Sequence, residues 1–136
     1  MQLIVDTNIL VSFFRDNPVK FIILNSRLLN LELITPEYAL EELKKNESDI
    51  SKYGKINSEQ FNNILSDLSK FIRIIPEESF TNQEAIAKEL IHDKDIPFFA
   101  LALSLDCTIW SNEPSFKEQS KIKILNTSDL KEMLKI

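Results

Sequence analysis

Short apolar runs alternate along this chain with longer stretches in which apolar residues recur every three or four positions. Leu3-Ile4-Val5 is an uninterrupted apolar run, as expected of a short strand buried on both faces. Similar runs follow at 31–35, 71–75, 108–110 and 122–125. The stretches between them have helical spacing. This alternation predicts an α/β fold in which a central, mainly parallel sheet of about five short strands is flanked by helices.

The helical stretches are bounded by prolines and polar residues. Helices are predicted over 8–16, 18–29, from Pro36 through Leu43, 58–70, 85–91, 97–105 and up to Ile136, with Thr127 as the cap of the last one. The polar span from Asn46 to Lys55 contains Gly54, the only glycine, and is predicted to be a loop or a frayed helix end.

The length and composition of the chain limit the class of protein. A chain of 136 residues is expected to form one domain, residues 1–136, with a core that needs no disulfide. The single cysteine, Cys107, has no intramolecular partner and lies in an apolar context typical of a buried thiol. No leader sequence opens the chain and no apolar run approaches the ~20 residues of a membrane span, so we expect a cytoplasmic protein with no membrane partner.

Composition also narrows the chemistry. The net charge of −5 argues against a general electrostatic nucleic-acid binder, although a carboxylate cluster contributes to that total. A single glycine excludes the glycine-rich loops that cradle phosphates. One histidine, one cysteine and no plausible GxSxG turn give poor support to serine, cysteine or histidine-ligated zinc chemistry. Aspartate and glutamate remain as the candidate functional groups.

Four acids occupy related positions in the predicted fold. Asp6 and Glu113 follow the first and fourth strands, Glu42 lies in the helix after the second strand, and Asp95 begins the helix before the fourth. The carboxyl ends of parallel strands meet at one edge of the sheet, where such folds bind ligands. Carboxylates gathered there would repel one another, and Mg²⁺ or Mn²⁺ would relieve that repulsion. Such an ion also neutralises charge on a phosphodiester, so the pattern indicates metal-assisted phosphodiester hydrolysis.

Each of these residues also has a purely structural interpretation. Asp6 could only cap the following helix, and Asp95 could only interact favourably with a helix dipole. Glu42 could lie on a solvated helix face, and Glu113 could be a turn residue. Ser111 could bind the scissile phosphate or the attacking water, or merely cap.

Other polar and aromatic residues have two interpretations as well. His92 is a possible general base but more simply a structural residue at a helix end. Trp110 could stack on a nucleobase, but its place at the end of an inner strand favours the core. Basic residues that could steer a phosphate backbone past the acids are Arg15, Lys20, Lys94 and Lys117.

The order and spacing of these acids resemble the PIN-domain ribonucleases, a family that includes the toxins of many prokaryotic toxin–antitoxin pairs. Val5-Asp6-Thr7-Asn8-Ile9-Leu10 is similar to the family's opening Asp-Thr-Asn. The resemblance implies that Asp6 is the first metal ligand and that Thr7 and Asn8 hold it by hydrogen bonds. In Pro36-Glu37-Tyr38-Ala39-Leu40-Glu41-Glu42-Leu43 the family's second acid corresponds to Glu42, or to Glu41 if the register differs by one.

Two later segments extend the resemblance over nearly the whole chain. Asp95-Ile96-Pro97-Phe98-Phe99-Ala100-Leu101-Ala102 is close to the family's acid-x-Pro and Ala-Leu-Ala signature, with Asp93 as a supporting acid. Ile109-Trp110-Ser111-Asn112-Glu113-Pro114-Ser115-Phe116 is similar to the strand-ending Thr/Ser-Asn-Asp-x-Asp-Phe pattern. Glu113 replaces the usual first Asp and Ser115 replaces the second. These replacements leave open whether one or two metal ions bind.

The resemblance implies an Mg²⁺- or Mn²⁺-dependent endoribonuclease whose catalytic and metal-binding residues are Asp6, Glu42, Asp95 and Glu113. Its partners would be an RNA substrate, a possible antitoxin protein and a second copy of the chain. The apolar early helices (Phe13, Phe14, Phe21 and Ile22) are a candidate dimer interface or ordinary core. The alternative is a catalytically degenerate module that binds RNA or a protein partner without cleavage, which Ser115 and the acidic charge would favour. A haloacid-dehalogenase-type phosphatase is disfavoured because Asn8 occupies the position of its second Asp.

Overall fold

Five short strands, all parallel, form the central sheet of the computed structural model, which describes residues 1–136. They are β1 (Gln2–Val5), β2 (Glu32–Pro36), β3 (Ile72–Ile75), β4 (Thr108–Trp110) and β5 (Ile124–Leu125). The order across the sheet is β3-β2-β1-β4-β5. The predicted α/β class with a five-stranded parallel sheet is therefore confirmed. Because β1 pairs with both β2 and β4, the strand order reverses there, and a crevice opens at the carboxyl ends of β1 and β4.

Eight α-helices flank the sheet. They are α1 (Thr7–Ser12), α2 (Pro18–Leu24), α3 (Glu37–Lys45), α4 (Glu47–Gly54), α5 (Ser58–Ser69), α6 (Glu84–Ala87), α7 (Ile96–Leu105) and α8 (Thr127–Leu134). The prediction that α2 continues to Leu29 was wrong. The helix ends at Asn25, whose side-chain amide donates to the carbonyl of Phe21 and competes with the helical hydrogen bonds. None of the helices combines the length and apolar character that crossing a membrane requires.

Helix α4 corrects the prediction of a loop between Asn46 and Lys55. Its polar composition hid one apolar side chain, Ile50, which is buried in the core. Gly54 is required by packing, since a Cβ atom at this position would lie 2.5 Å from the backbone oxygen of Phe14. The helix ends at Lys55, which adopts a left-handed conformation (φ 56°). A close contact between backbones therefore fixes α4 against the end of α1.

The core forms around β1, whose Leu3, Ile4 and Val5 are fully buried, as the apolar run predicted. Trp110 is also fully buried, and its indole N–H donates to the Thr127 hydroxyl over 3.1 Å. Trp110 is thus a core residue. The cap of α8 is Asn126, whose side chain accepts the backbone N–H of Asp129, so the prediction of Thr127 as the cap was wrong.

Two predictions about apolar residues need correction. Of the four residues considered for a dimer interface, Phe13, Phe14 and Ile22 are buried in the core and only Phe21 is exposed. The spacing of these residues reflects packing of the first two helices on the sheet. Cys107 is only half-buried, because it lies at the start of β4, where its thiol reaches the exposed side chain of Gln2.

Candidate active site

The carboxyl ends of β1 and β4 bring Asp6 and Ser111 together. Val5 pairs with Trp110 in the parallel register, so the next residue of each strand emerges at the same level of the sheet. The backbone N–H of Asp6 continues the pairing to the carbonyl of Trp110, over 3.3 Å. Beyond it, the hydroxyl of Ser111 donates to Oδ2 of Asp6. The sheet itself therefore sets the position of this carboxylate in the crevice.

Asp6 both caps a helix and lines the crevice. It is the N-cap of α1, where Oδ1 accepts the backbone N–H of Ile9 over 2.9 Å. It is also buried, with 4% of its surface exposed, and lines the crevice. Burial raises the pKa of Asp6 to about 6, although the hydrogen bonds from Ser111 and Ile9 lower it. The charges of Asp95 and Glu113 also contribute to the raised pKa, so the three acids are close enough to interact.

Ser111 joins Asp6 to the turn that carries Glu113. Its buried hydroxyl oxygen accepts the backbone N–H of Glu113 over 3.0 Å while its proton is directed to Asp6. Ser115 lies at the same turn and its hydroxyl is 3.4 Å from Oε1 of Glu113. Ser111 therefore holds the carboxylate of Asp6 and the turn of Glu113 in position.

The second predicted acid reaches the crevice from α3. The hydroxyl of Thr7 donates to Oε1 of Glu42 over 2.5 Å and holds its carboxylate beside α1. The neighbouring Glu41 is exposed and lies close enough to Glu77 to help raise the pKa of that residue. Of the two acids that the sequence left open, Glu42 is the one that lines the crevice.

Asp95 reaches the crevice from the opposite side. It ends a 3-10 turn (Asp93–Asp95) just before α7 and is half-buried. Burial raises the pKa of Asp95, the charge of Lys94 opposes this effect, and the charges of Glu42 and Glu113 add to it.

Two adjoining cavities form the crevice, and both are lined by Asp6, Asn8, Lys94 and Asp95. The first, of about 350 Å³, also includes Thr7 and Glu42 and extends to α4. The second, of about 250 Å³, is completed by Glu113, Ser115, His92 and Phe116. The fold therefore brings all four predicted acids to one continuous surface.

Three of the supporting residues are not placed as the resemblance implied. Thr7 and Asn8 make no hydrogen bond to Asp6, whose two oxygens accept from Ile9 and Ser111 instead. Thr7 is directed to Glu42 instead, and Asn8 is exposed at the cavity wall. Asp93 is exposed and lines neither cavity, since it lies at the outer end of the 3-10 turn.

Sequence reasoning missed one wall of the first cavity. It is formed by the face of α4, whose lining residues are Asn46, Asp49, Ile50 and Tyr53. Their spacing of three, one and three residues is helical and was visible in the sequence. The helix was not predicted because this segment is mostly polar and contains Gly54.

The donor set fits a hard divalent cation in its chemistry. Every candidate ligand is a carboxylate, and Mg²⁺ and Mn²⁺ prefer oxygen. No three histidine, cysteine, aspartate or glutamate side chains lie close enough to hold an ion as they stand. Mg²⁺ commonly binds through one or two carboxylates and keeps several waters. Asp6 together with Asp95 or Glu113 would supply these carboxylates.

Comparison with known proteins agrees with this architecture. The structure of VapBC2 from Rickettsia felis, bound to a DNA fragment from their promoter, is similar with a TM-score of 0.70 and 21% identity, over 93% of this chain and 98% of that chain. VapBC-1 from nontypeable Haemophilus influenzae gives a TM-score of 0.67 and 21% identity over the same shares. PAE2754 from Pyrobaculum aerophilum gives 0.72 at 12% identity, over 99% of this chain and 90% of that chain. At these identities the likeness shows a common fold.

Sequence comparison identifies the family. No curated protein matches the chain. The family model described as PIN domain matches residues 4–134. Since this match spans nearly the whole sequence, the chain belongs to the PIN domain family.

Proposed function

We propose that the chain is a single-domain, metal-dependent endoribonuclease that hydrolyses RNA phosphodiester bonds with Asp6, Glu42, Asp95 and Glu113. The observation that carries the proposal is the buried carboxylate of Asp6, held at the strand-order reversal and flanked by two further acids. Burial in the crevice leaves this negative charge poorly solvated and raises the pKa of Asp6, and a cation would compensate for this. Membership of the PIN domain family agrees with a nuclease.

The residues of the crevice divide into ligands and groups that hold them. Asp6, together with Asp95 and Glu113, would hold Mg²⁺ or Mn²⁺, with Glu42 as a further acid. When bound, the ion would supply charge neutralisation at the phosphodiester and a lowered pKa for an attacking water. Ser111 fixes the orientation of Asp6, and Thr7 fixes that of Glu42.

Lys94 is the cation best placed for the substrate. Its side chain lines both cavities, among four acids in the first and three in the second. An ammonium group there would contact a phosphate oxygen of the bound strand. The other basic residues considered from the sequence, Arg15, Lys20 and Lys117, line neither cavity.

We further propose a partner protein and a second copy of the chain. Structural neighbours include VapBC assemblies, and the resemblance of the acidic segments extends to toxins of toxin–antitoxin pairs. An antitoxin would cover the acidic crevice. If the chain is such a toxin, its induced expression stops bacterial growth and Asp6→Asn restores it.

A dimer would use exposed apolar residues such as Phe21, Leu24 and Leu28, since the other residues considered earlier are buried. Light scattering of wild type and Phe21→Asp tests that interface.

The test of the enzymatic proposal is cleavage of a mixed single-stranded RNA pool in Mn²⁺, Mg²⁺ or EDTA. Wild type is expected to cut in either metal, to stop in EDTA and to leave 5′-phosphate and 3′-hydroxyl ends. Asp6→Asn keeps the size of the side chain and should abolish cutting. Asp67→Asn, at an exposed acid of α5, is the matched control and should cut like wild type.

Two outcomes would refute the proposal. Binding of RNA without cutting in any metal would support the degenerate module instead. Equal cutting by wild type and Asp6→Asn would show that the activity does not come from this site.

A further inference from the structure

The first cavity has two ends of different chemistry. One end carries the carboxylates of Asp6, Glu42 and Asp95. The other is formed by Ile50 and Tyr53 of α4, and Val11 of α1 and Phe98 of α7 also line the cavity. The ion and phosphate chemistry of the proposed function accounts for the acidic end only. An apolar and aromatic wall beside it is what a planar, partly apolar group next to a phosphate would require.

Tyr53 has the geometry of a stacking platform. The guanidinium carbon of Arg15 lies 5.3 Å from the centre of its ring, so a cation covers one face. Tyr53 is 38% exposed and lines the first cavity, whereas Arg15 does not line it, so a planar group in the cavity would approach the ring from another side. Tyr53 also precedes Gly54, whose close contact with the backbone of Phe14 fixes this end of α4. The backbone that carries Tyr53 is therefore fixed before any ligand arrives.

From this juxtaposition we infer that the α4 end of the cavity is a nucleobase subsite. A base adjacent to the cleaved phosphate stacks on Tyr53, while its phosphate lies at the acidic end near Lys94. This inference rests on the proposed function, because the ligand it names is the RNA of that reaction. Bases within a duplex are paired and stacked and cannot enter such a cavity, so the subsite selects single-stranded RNA.

Polar groups on the same helix face lie beside the stacked base. Asn46 and Asp49 line the cavity at the same wall as Tyr53. A carboxylate such as Asp49 can only accept hydrogen bonds, whereas the Asn46 carboxamide both donates and accepts them. The wall therefore combines a stacking surface with groups that hydrogen-bond the edge of a base. Trp110, the aromatic residue considered from the sequence, cannot take this part because it is fully buried.

The test measures binding and stacking without cleavage. Eight-nucleotide RNAs, random except for a central 2-aminopurine, are titrated with protein in Ca²⁺, and the fluorescence of the base analogue is followed. Wild type is expected to quench this fluorescence, because stacking on an aromatic ring does so. Tyr53→Leu should lose the quenching and bind about 5- to 150-fold more weakly, the range expected for one stacked base. Tyr53→Phe retains the ring and should behave like wild type.

Met133→Leu is the control, since Met133 is an exposed apolar residue outside both cavities and outside the proposed dimer interface. It should leave affinity and quenching unchanged, and circular dichroism checks that every variant is folded. Equal affinity and quenching in wild type and Tyr53→Leu would overturn the subsite. So would an equal loss in the Met133→Leu control.

The same variants separate this inference from the proposed function. If Tyr53-dependent quenching occurs but Mn²⁺ produces no cutting, the base subsite stands and the nuclease proposal fails. If wild type and Tyr53→Leu cut the RNA pool at the same sites and rates, the nuclease stands and the subsite fails. If wild type binds no RNA in either assay, both fail.

Discussion

Asp6 is the residue at which stability and the proposed chemistry conflict most directly. Its carboxylate is buried and close to Asp95 and Glu113, so without a cation its charge is unfavourable in the folded state. Two hydrogen bonds offset part of this cost, and the pKa still rises to about 6. Such a site lowers the stability of the metal-free protein, and a bound cation would offset this cost.

This raised pKa leads to a prediction about metal-free stability. In EDTA the folded protein takes up a proton at Asp6 near pH 6, whereas the unfolded chain does so near pH ~3.9. The contribution of Asp6 to the free energy of unfolding is therefore greatest below pH ~4 and is lost as pH rises through about 6, by about 3 kcal/mol in total.

Asp6→Asn isolates this contribution because it keeps the cap and removes the charge. In urea titrations the variant should be more stable than wild type at pH 8 by about that amount, and the difference should shrink towards pH 4. An Asp6→Asn protein that is less stable than wild type at pH 8 would contradict the account.

Ser111→Ala tests the hydrogen bond that holds Asp6. The bond lowers the pKa of Asp6, so its loss should move that pKa above 6 and cost about 1.5–3 kcal/mol at pH 8, where the carboxylate is charged. At pH 5, with Asp6 protonated, the cost should be smaller. Ser69→Ala, at an exposed hydroxyl of α5, should show no such pH dependence. A Ser111→Ala cost that is the same at both pH values would assign the serine to packing alone.

At the scale of elements, α4 is the part of the fold on which the first cavity depends. Gly54→Ala places a methyl group against the backbone oxygen of Phe14, so α4 and the end of α1 must move apart. We expect a loss of about 1–3 kcal/mol in the free energy of unfolding, measured by urea titration. Lys52→Ala, at an exposed position of the same helix, should change it by no more than ~0.5 kcal/mol. Equal stability of Gly54→Ala and wild type would show that the contact is not tight.

The same element shows why the sequence could predict only part of the fold and site. The strands were predictable because Leu3-Ile4-Val5 is apolar on both faces and its counterparts are mostly apolar, and the acids that follow these runs then fell at one edge. Helix α4 was missed because only Ile50 is buried, too weak a pattern beside a glycine whose role depends on a distant backbone. The hydrogen bond from Thr7 to Glu42 spans 35 positions and has no local signal.

For the whole molecule, the order of strands is what assembles the site. Parallel strands alone place the acids at one edge, but only the reversal at β1 sets Asp6 beside Ser111 and opens the crevice. That order depends on long-range packing and was not predicted. The net charge of −5 is unfavourable for a polyanionic substrate, so the proposed cleavage of RNA requires a divalent cation between the acids and the substrate.

The most direct test of this requirement is a titration of the protein with Mn²⁺, followed by the electron paramagnetic resonance signal of the free ion. Wild type at pH 7.5 should take up one or two ions per chain. Asp6→Asn and Asp95→Asn should lose this uptake or weaken it at least 10-fold, and Glu41→Gln, at the outward-facing neighbour of Glu42, should retain it. Uptake by Asp6→Asn equal to that of wild type, or none by wild type at millimolar Mn²⁺, would contradict a carboxylate metal centre at the ends of β1 and β4.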